Sequence, residues 1–167
     1  MLRDEFSAQA WAGLAAMFAA AHAVVGQADG ELDLDETDVM FSVVEGEFEL
    51  PTKVFEVLDS DPALAREVLE DTGAIVRALA PADRGQAAVQ GRAHLAVWVE
   101  LAPTPAEREE RTRKSRGLLV AVMFLGLRTA RADGSIAASE LRSWNQVGDA
   151  FGLPDEWLEL IRELTRS

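Results

Sequence analysis

Two stretches decide the fold: Ala28-Asp29-Gly30-Glu31-Leu32-Asp33-Leu34-Asp35-Glu36 and Ala132-Asp133-Gly134-Ser135-Ile136-Ala137-Ala138-Ser139-Glu140. Both read Ala-Asp-Gly, then an apolar residue two positions after the glycine and a glutamate six after it. Positions 29 and 133, and positions 36 and 140, are separated by the same 104 residues. A long Ala/Leu-rich segment containing Met-Phe precedes each stretch (Met17-Phe18 and Met123-Phe124). A segment with an aromatic near its middle follows each (Phe41 and Trp144), and closes in a similar turn, Phe48-Glu49-Leu50-Pro51 and Phe151-Gly152-Leu153-Pro154. The two prolines are 103 residues apart, which places a one-residue deletion in the helix of the second copy. Self-similarity of this kind marks a duplicated supersecondary unit.

Outward from these stretches, periodicity predicts helices throughout. Phe6, Ala10, Trp11, Leu14, Met17, Phe18, Ala21, Val24, Val25 and Ala28 recur at steps of three and four, one apolar stripe on a long helix that Gly30 ends. Asp33 and Glu36 form a capping-box pattern for a second helix reaching about Phe48. A short helix follows Pro51. Asp61-Pro62 opens another, which Pro81 stops. A helix carrying Val89, Leu95, Val97, Trp98 and Leu101 leads to Thr104-Pro105-Ala106-Glu107, a cap, a first-turn proline and a capping glutamate in one tetrapeptide. The helix it opens runs to Ala132, and two more span Ala138–Phe151 and the region of Trp157–Leu164. No segment alternates long enough to read as a strand. The expected fold is an all-α, single-domain bundle of about seven or eight helices with two pseudo-symmetric helix–Ala-Asp-Gly–helix units. Residues 6–60 make unit one, residues 105–166 unit two, and residues 61–103 the helices between them.

Composition narrows the function. The chain has 167 residues, about half of them hydrophobic, and so can bury a core. It carries 29 acidic against 16 basic residues, a formal charge of −13. That balance repels phosphate backbones and anionic lipid and attracts cations and basic protein surfaces. Nucleic acid is therefore not an expected partner, and other proteins with basic surfaces are. Arg111, Arg113, Lys114 and Arg116 form the only basic cluster along the sequence; with Glu107, Glu109 and Glu110 beside them they read as a solvated helix face. There is no cysteine, which excludes disulfides and thiolate chemistry. Residues Ser7–Ala28 carry no charge but include Gln9, His22 and Gln27, and Arg3 is outweighed by Asp4 and Glu5. The segment reads as a core helix, not as a membrane span or signal peptide.

The long helix, Ala-Asp-Gly, the apolar residue and glutamate at fixed distances, and a helix ending at Leu-Pro, all occurring twice, resemble the TerB-like family. That family includes tellurite-resistance TerB and the N-terminal domain of membrane-anchored DnaJ-like co-chaperones. The resemblance covers about Phe6 to Leu164 and is thinnest over Lys53–Pro103. It implies an all-helical cytoplasmic protein in bacterial stress response, including resistance to tellurite and other toxic agents. It also implies metal binding by acidic loop residues, which here are Asp29, Glu36, Asp133 and Glu140.

Two readings of these bends stand side by side. In one, each Glu reaches back to N–H groups left unpaired at the start of its helix, and Leu32 and Ile136 plug the bends into the core. In the other, Asp29, Glu36, Asp133 and Glu140, with Glu31 and Asp33 as auxiliaries, hold a divalent cation such as calcium, magnesium or zinc. Neither bend is an EF-hand, because the twelfth residue counted from Asp29 is Met40 and from Asp133 is Trp144. His22 and His94 have no second histidine at ligand spacing and read as packed or surface residues. Trp11, Trp98, Trp144 and Trp157 read as core anchors. No phosphate-cradling loop, nucleophile elbow or His-Glu-x-x-His occurs, so the expected function is binding without catalysis.

Overall fold

The structure is a computed structural model that describes residues 1–28, 34–132 and 134–166, without the side chains of 34–37 and 44. The described residues form eight α-helices and two short 3-10 turns, and no strand. The α-helices are α1 (Ala8–Gly26), α2 (Leu34–Val44), α3 (Thr52–Val57), α4 (Ala63–Ala78), α5 (Arg84–Glu100), α6 (Pro105–Ala130), α7 (Ala138–Ala150) and α8 (Asp155–Leu164). The all-α architecture expected from periodicity is the one observed.

Two helices form the centre. The side chains of α1 are buried on nearly every side, from Ala10 and Trp11 to Val25 and Gly26. The second half of α6, Gly117 to Ala130, is buried in the same way. A helix that is apolar all round must be surrounded, and the other helices do this. The single stripe expected on α1 is therefore a full apolar circumference. By length and hydropathy α1 alone among the described helices is able to cross a membrane, yet 67% of its most apolar window is buried inside this body.

Caps and stops match the sequence closely. Ser7 Oγ accepts from Ala10 N at 3.0 Å, Asp61 Oδ1 from Ala63 N at 2.9 Å, and Thr104 Oγ1 from Glu107 N at 3.1 Å. Arginines close the other ends. Arg84 donates to Val76 O of α4, Arg111 to Trp98 O of α5, Arg92 to Ala150 O and Phe151 O after α7, and Arg131 to Arg162 O and Thr165 O at the end of α8. Cations suit these carbonyl-rich helix ends.

The duplication appears as a crossing. With the 104-residue spacing, His22 is equivalent to Gly126 and Val25 to Thr129. His22 Nδ1 lies 2.9 Å from Thr129 Oγ1, and a β-carbon placed on Gly126 would lie 3.5 Å from Val25 Cγ2. Each residue thus touches the counterpart of the other's partner, as a two-fold axis requires. Among the outer helices α2 packs mainly on α6, α7 packs on both α1 and α6, and α3 packs on its own counterpart α8.

This register corrects three details of the repeat. Met17 is matched with Ala121, so the two Met-Phe pairs are not equivalent. Trp144, fully buried, is matched with Met40, whereas Phe41 is 56% exposed. The shorter turn, not a shorter helix, accounts for the missing residue of the second copy. α2 stops at Val44, before Phe48, in a Schellman turn with Glu47 N donating to Ser42 O and a left-handed Gly46. α7 continues to Ala150 and stops the same way, with Leu153 N donating to Gly148 O and a left-handed Gly152. Five positions separate Gly46 from Pro51 and only two separate Gly152 from Pro154.

α5 runs antiparallel to α1, with the Phe6 and Trp98 rings 5.0 Å apart at one end and Gly13 against Gly91 at the crossing. A β-carbon on Gly91 would lie 2.2 Å from the carbonyl carbon of Gly13, so both helices need glycine there. Gly91→Ala is expected to push α5 off α1 and lower stability by about 1–3 kcal/mol or more in denaturant titration. After α3, Asp59 holds φ 46°, a left-handed conformation that glycine adopts at less cost. Its ion pair with Arg113 is exposed and contributes little. Asp59→Gly is expected to leave stability unchanged or to raise it by up to about 1 kcal/mol in the same titration.

Candidate functional site

The four predicted cation ligands divide unevenly. Asp29, Glu31, Asp33 and Asp133 lie outside the described residues, as does the side chain of Glu36. Glu140 is described. It sits three residues into α7, 3% exposed, with Oε1 accepting from Ala137 N at 3.1 Å. Ala137 has no side-chain acceptor to return the bond, so only the glutamate's half of a capping box exists. The other oxygen, Oε2, is buried and has no hydrogen-bond partner among the described residues. Ile136, half-buried, packs against the core beside it, as the first reading of the bend requires.

The surroundings of this bend are cationic. A groove of about 320 Å³ is lined by Arg131, Gly134, Ser135, Ile136 and Arg166. A neighbouring one of about 420 Å³ is lined by Asp38, Val39, Ser42, Arg128, Arg131, Ala132 and Thr165. Burial, and then the charges of Arg166 and Arg162, lower the pKa of Arg131. Among the described residues Arg128, Arg131, Arg162 and Arg166 form no ion pair. Folding thus creates a second basic cluster from the last turns of α6 and α8 and the residues just after them. The linear sequence hides it because the two pairs of arginines are distant in the chain. The signal available was their common position at helix C-termini. No group of three or more His, Asp or Glu able to hold a metal occurs among the described residues.

The basic stretch in α6 is not the free solvated face expected of it. Arg111 stacks on the Trp98 ring at 5.1 Å and reaches Glu5 at 3.4 Å. Lys114 pairs with Glu110 at 3.0 Å, and Arg113 with Asp59 at 3.3 Å. The stretch ties the first residues of the chain and the α3–α4 turn to α6.

With so many arginines occupied at helix ends, the acidic surplus stands unpaired. α3 and α8, packed together, present Glu56, Asp155, Glu156 and Glu159, all exposed and without an ion-pair partner among the described residues. The N-terminal end of α8 is therefore acidic and its C-terminal end basic.

Three of the tryptophans are core anchors. Trp144 donates to Met123 O at 2.7 Å, Trp11 to Asp71 at 2.9 Å, and Trp98 is buried beneath Arg111. Trp157 is half-buried, with Arg116 5.7 Å from its ring. His22 is packed inside. Thr129 Oγ1 donates to Leu125 O at 3.0 Å and so accepts from His22 Nδ1. No protein-family model, curated protein or solved structure matches the chain.

Burial pushes the His22 pKa from 6.5 down to about 4. The unfolded chain takes up this proton near pH 6.5 and the folded chain only near pH 4. Its contribution to stability is therefore complete above about 6.5 and is lost as pH falls toward 4, by up to about 3 kcal/mol. Denaturant midpoints measured across this window are expected to fall with pH, and His22→Asn should flatten that slope.

Proposed function

We propose that this is a TerB-like, cytoplasmic stress-response domain of bacteria that works by binding and recruits partners with basic surfaces through its acidic face. The observation that carries this reading is that α3 and α8 expose Glu56, Asp155, Glu156 and Glu159, none in an ion pair among the described residues, against the single exposed cation Lys53 on α3. Such a face steers basic partners by long-range attraction and adds little direct contact energy of its own. The duplicated helix–bend–helix units and their two-fold crossing support the TerB-like part of the reading, and with it a role in resisting tellurite and other toxic agents.

A panel of lysine- and arginine-rich peptides, read by fluorescence anisotropy, tests the mode of binding. Affinity is expected to fall at least tenfold as salt rises from about 0.05 to about 0.5 M. The double variant Glu156→Lys/Glu159→Lys should lose binding without loss of helix content. Absence of salt-sensitive binding to any peptide would remove the adaptor reading.

A second reading rests on Glu140 Oε2, a buried carboxylate oxygen that has no partner among the described residues. A divalent cation would satisfy it, with Asp133 on the same bend as a further ligand and Asp29 and Glu36 from the first bend as the matching pair. Calcium, magnesium or zinc at millimolar concentration is then expected to raise the melting temperature, and Glu140→Gln to abolish the rise. A melting temperature indifferent to all three ions would exclude this reading and leave Glu140 as a helix-start residue.

A further inference from the structure

Three arginines converge where α6 and α8 end, and capping explains only one of them. Arg128 lies in the last turn of α6, Arg131 just after it, and Arg166 just after α8. Arg131 lines both grooves at this corner; Arg128 joins it in the larger and Arg166 in the smaller. Asp38 is the one carboxylate lining either groove among the described residues. Burial, and then the charges of Arg166 and Arg162, lower the Arg131 pKa, so these cations are close enough to repel one another. No ion pair among the described residues relieves that repulsion, in a chain with 29 acidic residues.

Arg131 is held in place by α8. Its Nη1 donates to Thr165 O at 3.1 Å and its Nη2 to Arg162 O at 3.0 Å, while its Nε–H has no acceptor among the described residues. The guanidinium groups of Arg128 and Arg166 have no hydrogen-bond partner among the described residues. The repeat shows that the fold closes such a corner without these cations. With the 104-residue spacing Arg128 and Arg131 match Val24 and Gln27. With the 103-residue spacing that holds at the proline, Arg162 and Arg166 match Asp59 and Ala63. The first unit has no cation at any of these positions, so the cluster belongs to the second unit alone.

The backbone at this corner does not oppose an anion. Unpaired carbonyls at a helix end would repel one. Here Leu127 O, Thr129 O and Arg131 O accept from the N–H groups of Arg131, Ala132 and Gly134, and Arg131 takes Arg162 O and Thr165 O. Guanidinium groups present planar, paired N–H donors that suit phosphate oxygens, and several of them around one place suit a dianion better than a single carboxylate. The grooves, of about 420 and 320 Å³, are larger than a bare phosphate and stand at the small end of ligand sites. Val39 and Ala132 in one, and Ile136 in the other, give apolar wall for a small organic body. A polymer of phosphates would meet the formal charge of −13 over the rest of the chain.

We propose that Arg128, Arg131 and Arg166 form a phosphate-binding site at the joined ends of α6 and α8, and that its ligand is a small, soluble phosphate ester. The site lies at the opposite end of α8 from Asp155 and Glu156, so it stands apart from the acidic face and can succeed or fail independently of it.

Pyrophosphate is the probe, in metal-free buffer with ionic strength held constant by sodium chloride, because added salt alone relieves the self-repulsion of an acidic chain. At about ten times its Kd, pyrophosphate is expected to raise the melting temperature by roughly 3–5 °C over chloride. Arg128→Gln/Arg166→Gln removes two guanidinium groups that cap no helix. Its helix content and ligand-free melting temperature should match or exceed those of the wild type, while calorimetric affinity for pyrophosphate falls at least tenfold. Arg108→Gln, at the far end of α6, should leave that affinity unchanged. Pyrophosphate indistinguishable from chloride, or a double variant that binds it as tightly as the wild type, would overturn the proposal. Vesicles of phosphatidylcholine carrying a phosphoinositide distinguish a soluble ligand from a lipid headgroup. The chain is expected to stay in the supernatant, and sedimentation with the vesicles that pyrophosphate does not reverse would overturn the soluble ligand.

Discussion

The crossing of α1 and α6 holds the structure together. Both helices are apolar around nearly their whole circumference where they meet; α1 is the main cover of α6, while α1 itself is covered most by α5 and then by α6. At the crossing the polar demand is met internally: Thr129 links the Leu125 carbonyl to the His22 ring, and Gly126 makes room for Val25. The other helices complete the enclosure. Two of them do so by exchange, α2 covering the partner unit's core helix and α7 covering α1. α7 also packs on α6 of its own unit, where Trp144 donates to Met123 O, so it bridges the two core helices.

Much of this was legible in the residues. Helix starts were read correctly where a side chain performs the capping, as at Asp61 and Thr104, because that chemistry is local. The all-helical class followed from periodicity and short connections. What went astray was non-local. Phe41 and Trp144 look alike along the chain, yet one is exposed and the other buried, because face is set by register and the registers differ by one residue. The deletion in the second copy was placed in the helix because proline was used as the landmark. The left-handed glycines, Gly46 and Gly152, mark the true helix ends. Val89, Val97 and Leu101, which helped to mark their helix, are exposed, since apolar residues along a helix do not by themselves tell a core-facing position from an outward one.

The candidate site was legible only in part. Glu140 accepts from Ala137 N at the start of its helix, as the first of the two readings of the bends has it. Its second, unpaired oxygen was not foreseeable, because burial is a property of the assembled core. The arginines of the α6 and α8 ends were missed for a related reason. Linear charge counting treats every basic residue as a surface charge, whereas here Arg84, Arg92, Arg111 and Arg131 are occupied by carbonyls at helix termini. Their charge remains but is fixed at helix ends, away from the carboxylates of α3 and α8.

The central position of α1 bears on how the protein is made. α1 leaves the ribosome before the helices that cover it: its antiparallel neighbour α5 ends at Glu100 and its crossing partner α6 at Ala130. At about 5–20 residues per second, the most apolar segment waits roughly 5–20 s for its covering helices to be translated. During that interval the nascent chain carries an uncharged, membrane-length apolar segment with no completed partner. Reliable production therefore depends on the cell's capacity to shield emerging chains, a demand that a fold with its core helix last in the sequence would not make.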